Sequence, residues 1–570
     1  MDQTMGAIGI VLLCFAAFAA MAFYQNHKNQ KLRRLCIRRG FGNLPDREYD
    51  LDEYECISHY FRQRKKQGYV IDDITWNDLD MDSVFIMMNH TWSAIGESSL
   101  YDMLRRPEFS EEVLNERERL IQFFQKHEAE REKFLELCAE IGKTGRYSVF
   151  DYIYNLADLK MEKPWKHYLN ILLIITAIGL IFIQPQIGIL AVIAMISVSM
   201  GQYYGAKKKV EPYVTSCNCL LNMLKFSEKV EKLSMPELES YLSELKKCRK
   251  KFGNFKRKAH FFVAGAAVSG GPEAFVIEYL NYIFHFDLIQ FPGIVKELKN
   301  HLDDFEKMTN VIGLLESMAA ISSFRAMMQE YTIPVLQKSD KGFLNMEDGY
   351  HPMISDPVKN SIKVERGVLL TGSNASGKST FLKTVAINAI LAQTVHTCMA
   401  KRYKGSFFRI YSSMALRDDL VGQESYYIVE IKALKRILDV LDEEMPVLCF
   451  VDEVLRGTNT VERIAASSQI LKSLSRDDVV CFAATHDIEL THLLEKEYDN
   501  YHFQEEVKDN DILFNYLLYP GRATSRNAIK LLSIMGYDRE IISSAERSAE
   551  KFLTTGEWQL ETCSGSMEKK

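Results

Sequence analysis

The segment Thr371-Gly372-Ser373-Asn374-Ala375-Ser376-Gly377-Lys378-Ser379-Thr380 has the residue types and spacing to hold a polyphosphate. Gly372 and Gly377 let the backbone curl so that successive N–H groups face phosphate oxygens, Lys378 supplies a mobile cation, and the Ser379 hydroxyl can ligate Mg²⁺. Two carboxylates stand downstream, Asp452 and Glu453, at the end of the apolar run Val447-Leu448-Cys449-Phe450-Val451. A carboxylate at the end of a buried strand can hold the metal through water, and its neighbour can orient and deprotonate the attacking water. The plain alternative is a strand that ends in solvated acids. A third apolar run, Val479 to Ala484, delivers Thr485-His486-Asp487. His486 is a candidate γ-phosphate sensor there; taken alone it reads as an ordinary loop histidine. ATP with Mg²⁺ is the expected cofactor pair.

The elements that position these groups follow from the same runs. Val368-Leu369-Leu370 precedes the glycine loop and a helix-like stretch follows it, the strand, loop and helix order of a phosphate-binding loop. The other two runs are of strand length and continuously apolar, as in a parallel sheet buried on both faces. Ligands of such sheets bind at the C-terminal ends of the strands.

Together, TGSNASGKST at Thr371, VDEVLRGTNT at Val451 and ATHDIELT at Ala484 resemble the ATPase domain of the MutS family, the ABC-class engines of DNA mismatch recognition. The resemblance implies an ATP-hydrolysing homodimer in which each nucleotide site is completed by the partner chain. It assigns nucleotide binding to Gly372, Ser373, Asn374, Ala375, Ser376, Gly377, Lys378, Ser379 and Thr380, with Asn374 matching the family's loop asparagine. Ser379 and Asp452 take the metal, and Glu453, His486 and Lys378 carry catalysis. Ser425 matches the serine that reaches the partner's nucleotide, although Gln423-Glu424 stand where the family has glycine and arginine.

The resemblance covers roughly residues 78 to 555. Asn89-His90-Thr91-Trp92-Ser93-Ala94-Ile95-Gly96, then Leu100, Leu104 and Pro107, looks like the start of the family's helical lever core, and Gly349-Tyr350-His351-Pro352 like the approach to its ATPase domain. Leu517 to Gly521, followed by Ser525 to Gly536 and a charged helix, resembles the helix-turn-helix that clasps two subunits. Arg526 and Asn527 replace an aromatic-glycine pair and histidine, which leaves the adenine contacts unassigned. Nothing before residue 78 resembles the family's mismatch-sensing domain with its Phe-x-Glu wedge. Phe503-Gln504-Glu505 lies inside the ATPase region.

The chain also carries membrane signals. Met5 to Tyr24 carries no charge and is about the 20 residues that cross a hydrocarbon core as a helix. Lys28, Lys31, Arg33, Arg34, Arg38 and Arg39 follow it, which predicts an N-terminus outside and a cytoplasmic body. A cleaved signal peptide is the alternative. A second apolar block, Tyr168 to Ala206, is broken by Gln184-Pro185-Gln186 and flanked by Lys160, Lys163, Lys166 and by Lys207, Lys208, Lys209. It predicts a transmembrane hairpin with both ends cytoplasmic; the alternative is a hairpin buried in a soluble helical core. Membrane lipid is therefore an expected partner through three spans.

At 570 residues the chain is too long for one core. Eleven cysteines show no metal-ligand spacing, and a net charge of −6 gives no general attraction to phosphates. One basic cluster stands out, Lys246 to Lys258 around Phe252 and Phe255. DNA phosphates, anionic headgroups and a plain solvated helix face all suit it. The expected architecture is a membrane-anchored α plus α/β chain. An anchor (1–27) and linker (28–77) precede a helical lever core (78–345) with the hairpin at 168–206, then a P-loop ABC-type ATPase domain (346–520) and a helix-turn-helix with tail (521–570). The expected function is an ATP-gated dimeric clamp on structured or branched DNA in repair or recombination, blind to mismatches. The alternatives are an ATP-driven motor acting on a membrane protein partner without DNA, and a nucleotide-dependent scaffold.

Overall fold

Helix-forming sequence fills the chain up to about residue 330, and β-branched runs take over after it. The computed structural model describes residues 20–21, 24–25, 27–64, 68–154, 164–264, 272–373, 376–414, 426–441, 445–455, 458–508, 511–523, 529, 532–533 and 535–558. The helices of the first part are α1 (27–40), α2 (Leu51–Arg64), α3 (Asp73–Asp78), α4 (Met81–Met88), α5 (Ala94–Arg105), α6 (Glu111–Lys126), α7 (Glu128–Ile141) and α8 (Val149–Tyr154). They continue with α9 (Trp165–Ile183), α10 (Pro185–Val230), α11 (Glu239–Lys251), α12 (Gly253–Ala264), α13 (Pro272–Phe284), α14 (Phe286–Asn300) and α15 (Leu302–Met327). The chain forms two units: residues 1–70, 85–106 and 112–329, and residues 71–84, 107–111 and 330–570.

In the helical unit α5 is buried along its whole length and packs on α15. Ser93 caps α5, its hydroxyl accepting from Gly96 N at 2.9 Å. The fully buried Glu316 of α15 accepts from Trp92 N at 2.6 Å, Ser93 N at 2.9 Å and the Ser93 hydroxyl. Gly96 is required here, because a Cβ would overlap the Glu316 carboxylate. Burial pushes the Glu316 carboxyl up while these donors hold it down. A second buried link joins the same helix to α6: Arg325 donates to both carboxylate oxygens of Glu118, at 2.6 and 3.0 Å.

The apolar block forms α9 and α10, joined at Gln184, with Pro185 in the first turn where its missing N–H costs nothing. Trp165–Ile183 and Pro185–Lys208 are long and apolar enough to cross a membrane, and only 17% of each is buried. Leu172, Phe182 and Leu190 are 57%, 87% and 73% exposed, so these are not core helices of the unit. The helix does not stop at Ala206. It continues through the lysine run as one element of 46 residues to Val230, about 69 Å at 1.5 Å per residue. Two helices of spanning length are present among the described residues, against three spans expected; most of Met5 to Tyr24 lies outside those residues.

The second unit holds β1 (Val335–Gln337), β2 (Leu344–Gly349), β3 (Asn360–Val364), β4 (Gly367–Thr371), β5 (Arg402–Ser406), β6 (Arg409–Ser413), β7 (Val447–Asp452), β8 (Val479–Ala484), β9 (Tyr498–Lys508) and β10 (Asp511–Pro520). Its further helices are α16 (Lys378–Thr394), α17 (Tyr426–Leu438), α18 (Thr460–Ser473), α19 (Ile488–Leu493) and α20 (Arg539–Thr555). Six strands make one sheet in the order β10-β9-β4-β8-β7-β6, parallel except for β10. β1-β5-β2-β3 make a second. Every residue of β4 and β8 is buried, as the unbroken apolar runs require.

Residues 71–84 and 107–111, expected in the linker and the lever, group with this unit instead. Polar contacts hold them there. Ser412 donates to Asp78 at 2.6 Å, Arg436 reaches Asp72 at 2.8 Å, and Glu108 N donates to Gln393 O at 2.8 Å. Residues 524–528, 530–531 and 534 of the expected helix-turn-helix lie outside the described residues; α20 follows them.

Candidate nucleotide site

β4, β7 and β8 are adjacent, so their C-terminal ends bring three sequence-distant segments to one edge. Gly377 sits at φ 104° and caps α16, and Gly372 sits at φ 148° with Phe503 O packed where a Cβ would be. Only glycine adopts either conformation without strain. The loop therefore opens directly onto a helix N-terminus, where backbone N–H groups favour anions. Lys378 is buried, and its ammonium donates to Gly372 O and Ser373 O, both at 2.8 Å. The Ser373 hydroxyl donates to Glu505.

Across the edge, the Ser379 hydroxyl donates to Asp452 at 2.5 Å. A hydroxyl and a carboxylate oxygen, placed together beside a phosphate loop, form a donor set that suits Mg²⁺. Glu453 follows in the left-handed region, φ 58°, which a residue with a Cβ rarely adopts. Its N–H donates to Ala484 O at 3.0 Å, and its carboxylate lies 2.9 Å from His486 Nε2. The same Nε2 is 3.5 Å from the Lys378 ammonium. Asp487, next in line, is held by Arg463 at 2.6 and 2.9 Å, which fixes the loop that carries His486. Lys378, Ser379, Asp452, Glu453 and His486 are thus brought together.

Beside them lies a cavity of about 510 Å³. Ser376 to Thr380 and Glu453 form one wall, and Ile354, Pro357, Val358, Phe503 and Tyr516 supply an apolar one. Asn360 ties this wall to β10: its amide donates to Tyr516 O at 2.9 Å and accepts from Leu518 N at 2.8 Å. The apolar wall is what residue-level reading missed. A loop of Ile354, Pro357 and Val358 carries no chemistry of its own; the one hint was its place after His351-Pro352. Burial and the nearby Lys383 hold the His351 imidazole down to about 4, so it is neutral, and its Nδ1 accepts from Met353 N at 3.2 Å.

The family model of MutS domain V matches residues 368–553, which contain Gly372 to Thr380, Asp452, Glu453, His486, Phe503 and Tyr516, whereas His351, Ile354, Pro357, Val358 and Asn360 precede it. That matched stretch belongs to the MutS domain V family. Among curated relatives, the DNA mismatch repair protein MutS of Thermotoga petrophila is 29% identical over 272 residues, 46% of this chain and 33% of its own length. MutS of Thermus thermophilus is 26% identical over 276 residues, 48% of this chain and 33% of its own. MutS of Thermus aquaticus is 30% identical over 207 residues, 35% and 25%. The chain spans about a third or less of the length of the MutS proteins it matches.

Of the MutS-type positions read from sequence, Gly372, Ser373, Ser376 and Gly377 lie in the loop and Lys378, Ser379 and Thr380 open α16. Asn374, Ala375 and Ser425, as well as Arg526 and Asn527, lie outside the described residues. In the basic cluster, Phe252 and Phe255 are core residues. Lys246 and Arg249 pair with Glu231, Lys251 with Asp304 at 2.8 Å, Lys256 with Glu228 at 2.5 Å and Lys258 with Glu297 at 3.6 Å.

Proposed function

We propose that this chain is a Mg²⁺-dependent ATPase that works as a homodimer and is held in a membrane by α9 and α10. The observation that carries the ATPase reading is the convergence of Lys378, the Ser379–Asp452 pair and the Glu453–His486 pair on one cavity. Ser379 and Asp452 would hold Mg²⁺, which would neutralise charge on the phosphates. Lys378 and the α16 N-terminus orient the polyphosphate. Glu453 takes the proton of the attacking water, and His486 keeps that carboxylate in place. Ser425 would complete the partner's site, and the apolar wall of Ile354, Val358 and Tyr516 would hold the base.

Two loads are open to such a cycle. The relatives' names point to DNA, so an ATP-gated clamp on structured DNA is the first. The second, a motor acting on a membrane protein partner, is favoured by the basic cluster, where five of the eight cations already face carboxylates. The test is ATP turnover by the full chain in detergent or lipid nanodiscs. Glu453→Gln should abolish turnover while leaving nucleotide binding intact. Equal turnover in both proteins would end the assignment.

A further inference from the structure

The hairpin is not free at its base. The Asn170 amide donates to the Ser199 hydroxyl at 2.6 Å, and that hydroxyl donates on to Ile283 O at 2.8 Å, at the end of α13. His285, in the left-handed conformation between α13 and α14, lies 2.8 Å from His167 and 3.0 Å from Ser199 Oγ. Tyr203 donates to Asp287 at 2.6 Å, and the Tyr204 and Tyr282 rings stack at 5.4 Å. Every contact falls near the start of α9 or the middle of α10. Asn170 is five residues into α9, about 7.5 Å along its axis.

The corner so fixed presents apolar side chains to the outside. Tyr279, Leu280 and Phe286 are 65%, 40% and 44% exposed, and Trp165 and Tyr168 at the foot of α9, which packs on α13 and α14, are 57% and 56% exposed. Glu278, which would oppose such a surface, accepts from Tyr282 and lies 4.0 Å from Lys207. Lys207 in turn sits over the Tyr203 and Tyr282 rings, 5.2 and 5.5 Å from their centres. Aromatic rings beside a lysine that can snorkel, such as Lys207, are what the headgroup boundary selects.

We propose that the end of α13 and its corner into α14 form a non-spanning platform. On it Tyr279, Leu280 and Phe286 rest at the headgroup–acyl boundary of the leaflet that the hairpin enters. This rests on α9 and α10 crossing the bilayer. A helix with an apolar face and a neutralised carboxylate binds there through buried apolar area. The polar contacts at Asn170, Ser199, Tyr203 and His285 make platform and hairpin one body.

The test places a fluorescent non-natural amino acid at position 280, 286 or 175 of the full chain in phosphatidylcholine/phosphatidylglycerol nanodiscs. Ile175 is 56% exposed and about 15 Å along α9, near mid-bilayer. Lipids brominated near the headgroup should quench positions 280 and 286, lipids brominated deep in the chain should quench 175, and aqueous iodide should quench none. Deep quenching at 175 with only iodide quenching at 280 and 286 would overturn the platform and leave the spans standing. Loss of lipid quenching at 175 would overturn the spans, and the platform with them.

Discussion

Glu453 combines a strained backbone with a histidine partner, and both features come from where β7 ends. The residues proposed to hold phosphate were legible in sequence because each proposed role is tied to a residue type at a fixed spacing. Lys378 should follow that logic. A hydrogen bond to a charged group contributes roughly 1.5–3 kcal/mol, so Lys378→Ala should weaken ATP binding about ten- to a hundredfold in a titration by fluorescence. Unchanged affinity would remove Lys378 from the site. Ser379→Ala should leave metal-free binding alone and erase the gain that Mg²⁺ brings. The apolar wall was not legible, since Ile354 and Val358 resemble any loop hydrophobes until the fold brings them and Tyr516 to one cavity.

His351 supplies a pH dependence at the same scale. A free imidazole titrates near 6.5, whereas this one is held to about 4. A depressed histidine contributes stability that is present above 6.5 and lost as pH falls towards 4. The melting temperature of the full chain should therefore fall across that window, and less so in His351→Asn, which keeps an acceptor for Met353 N. The same slope in both proteins would show that His351 is not the group responsible. His90, also held down to about 4 by burial, adds to the same acid loss and remains in the variant.

At the scale of elements, the hairpin was legible because Pro185 interrupts an uncharged block. Its far end was not. Lys207 to Lys209 close the apolar pattern, yet lysine is a good helix former, so α10 runs on to Val230. The tie to α13 was equally hidden, because Asn170 and Ser199 read as isolated polar residues until His285 and Ile283 meet them. Ser199→Ala should lower the apparent melting temperature in micelles, as a buried amide left without its partner costs about 1–3 kcal/mol. Asn170→Leu added to it should cost less than the two single changes summed. Strict additivity would mean that the pair does not act together. Topology is testable with reporter fusions: Pro185 should lie outside, and Lys209 and Lys378 inside.

For the whole molecule, the sheet and the edge that carries the candidate site followed from three apolar runs, but the partition of the chain did not. Asp78 joins the second unit through Ser412, 334 residues away, and no local pattern announces such a pairing. Assembly should depend on nucleotide: Glu453→Gln with ATP and Mg²⁺ should elute at twice the monomer mass in calibrated detergent, and revert on nucleotide removal. A monomer under those conditions would refute the ATP-closed dimer. Any DNA binding should fall steeply with salt and should differ less than tenfold between a mismatched and a matched duplex at fixed salt. A larger preference would require a base-reading element.

The Ser93–Glu316 bond joins residues 223 apart, and the hairpin lies between them in the chain. Synthesis therefore delivers α5, a helix buried along its whole length, long before α15 exists to cover it. Such distant pairings form late and leave apolar surface open in the meantime. If the hairpin inserts during translation, the middle of the helical unit is committed to the bilayer before its two halves can meet. The birth of this unit is then a race between insertion and closure, and truncated nascent chains that end before residue 302 should be its most chaperone-dependent stage.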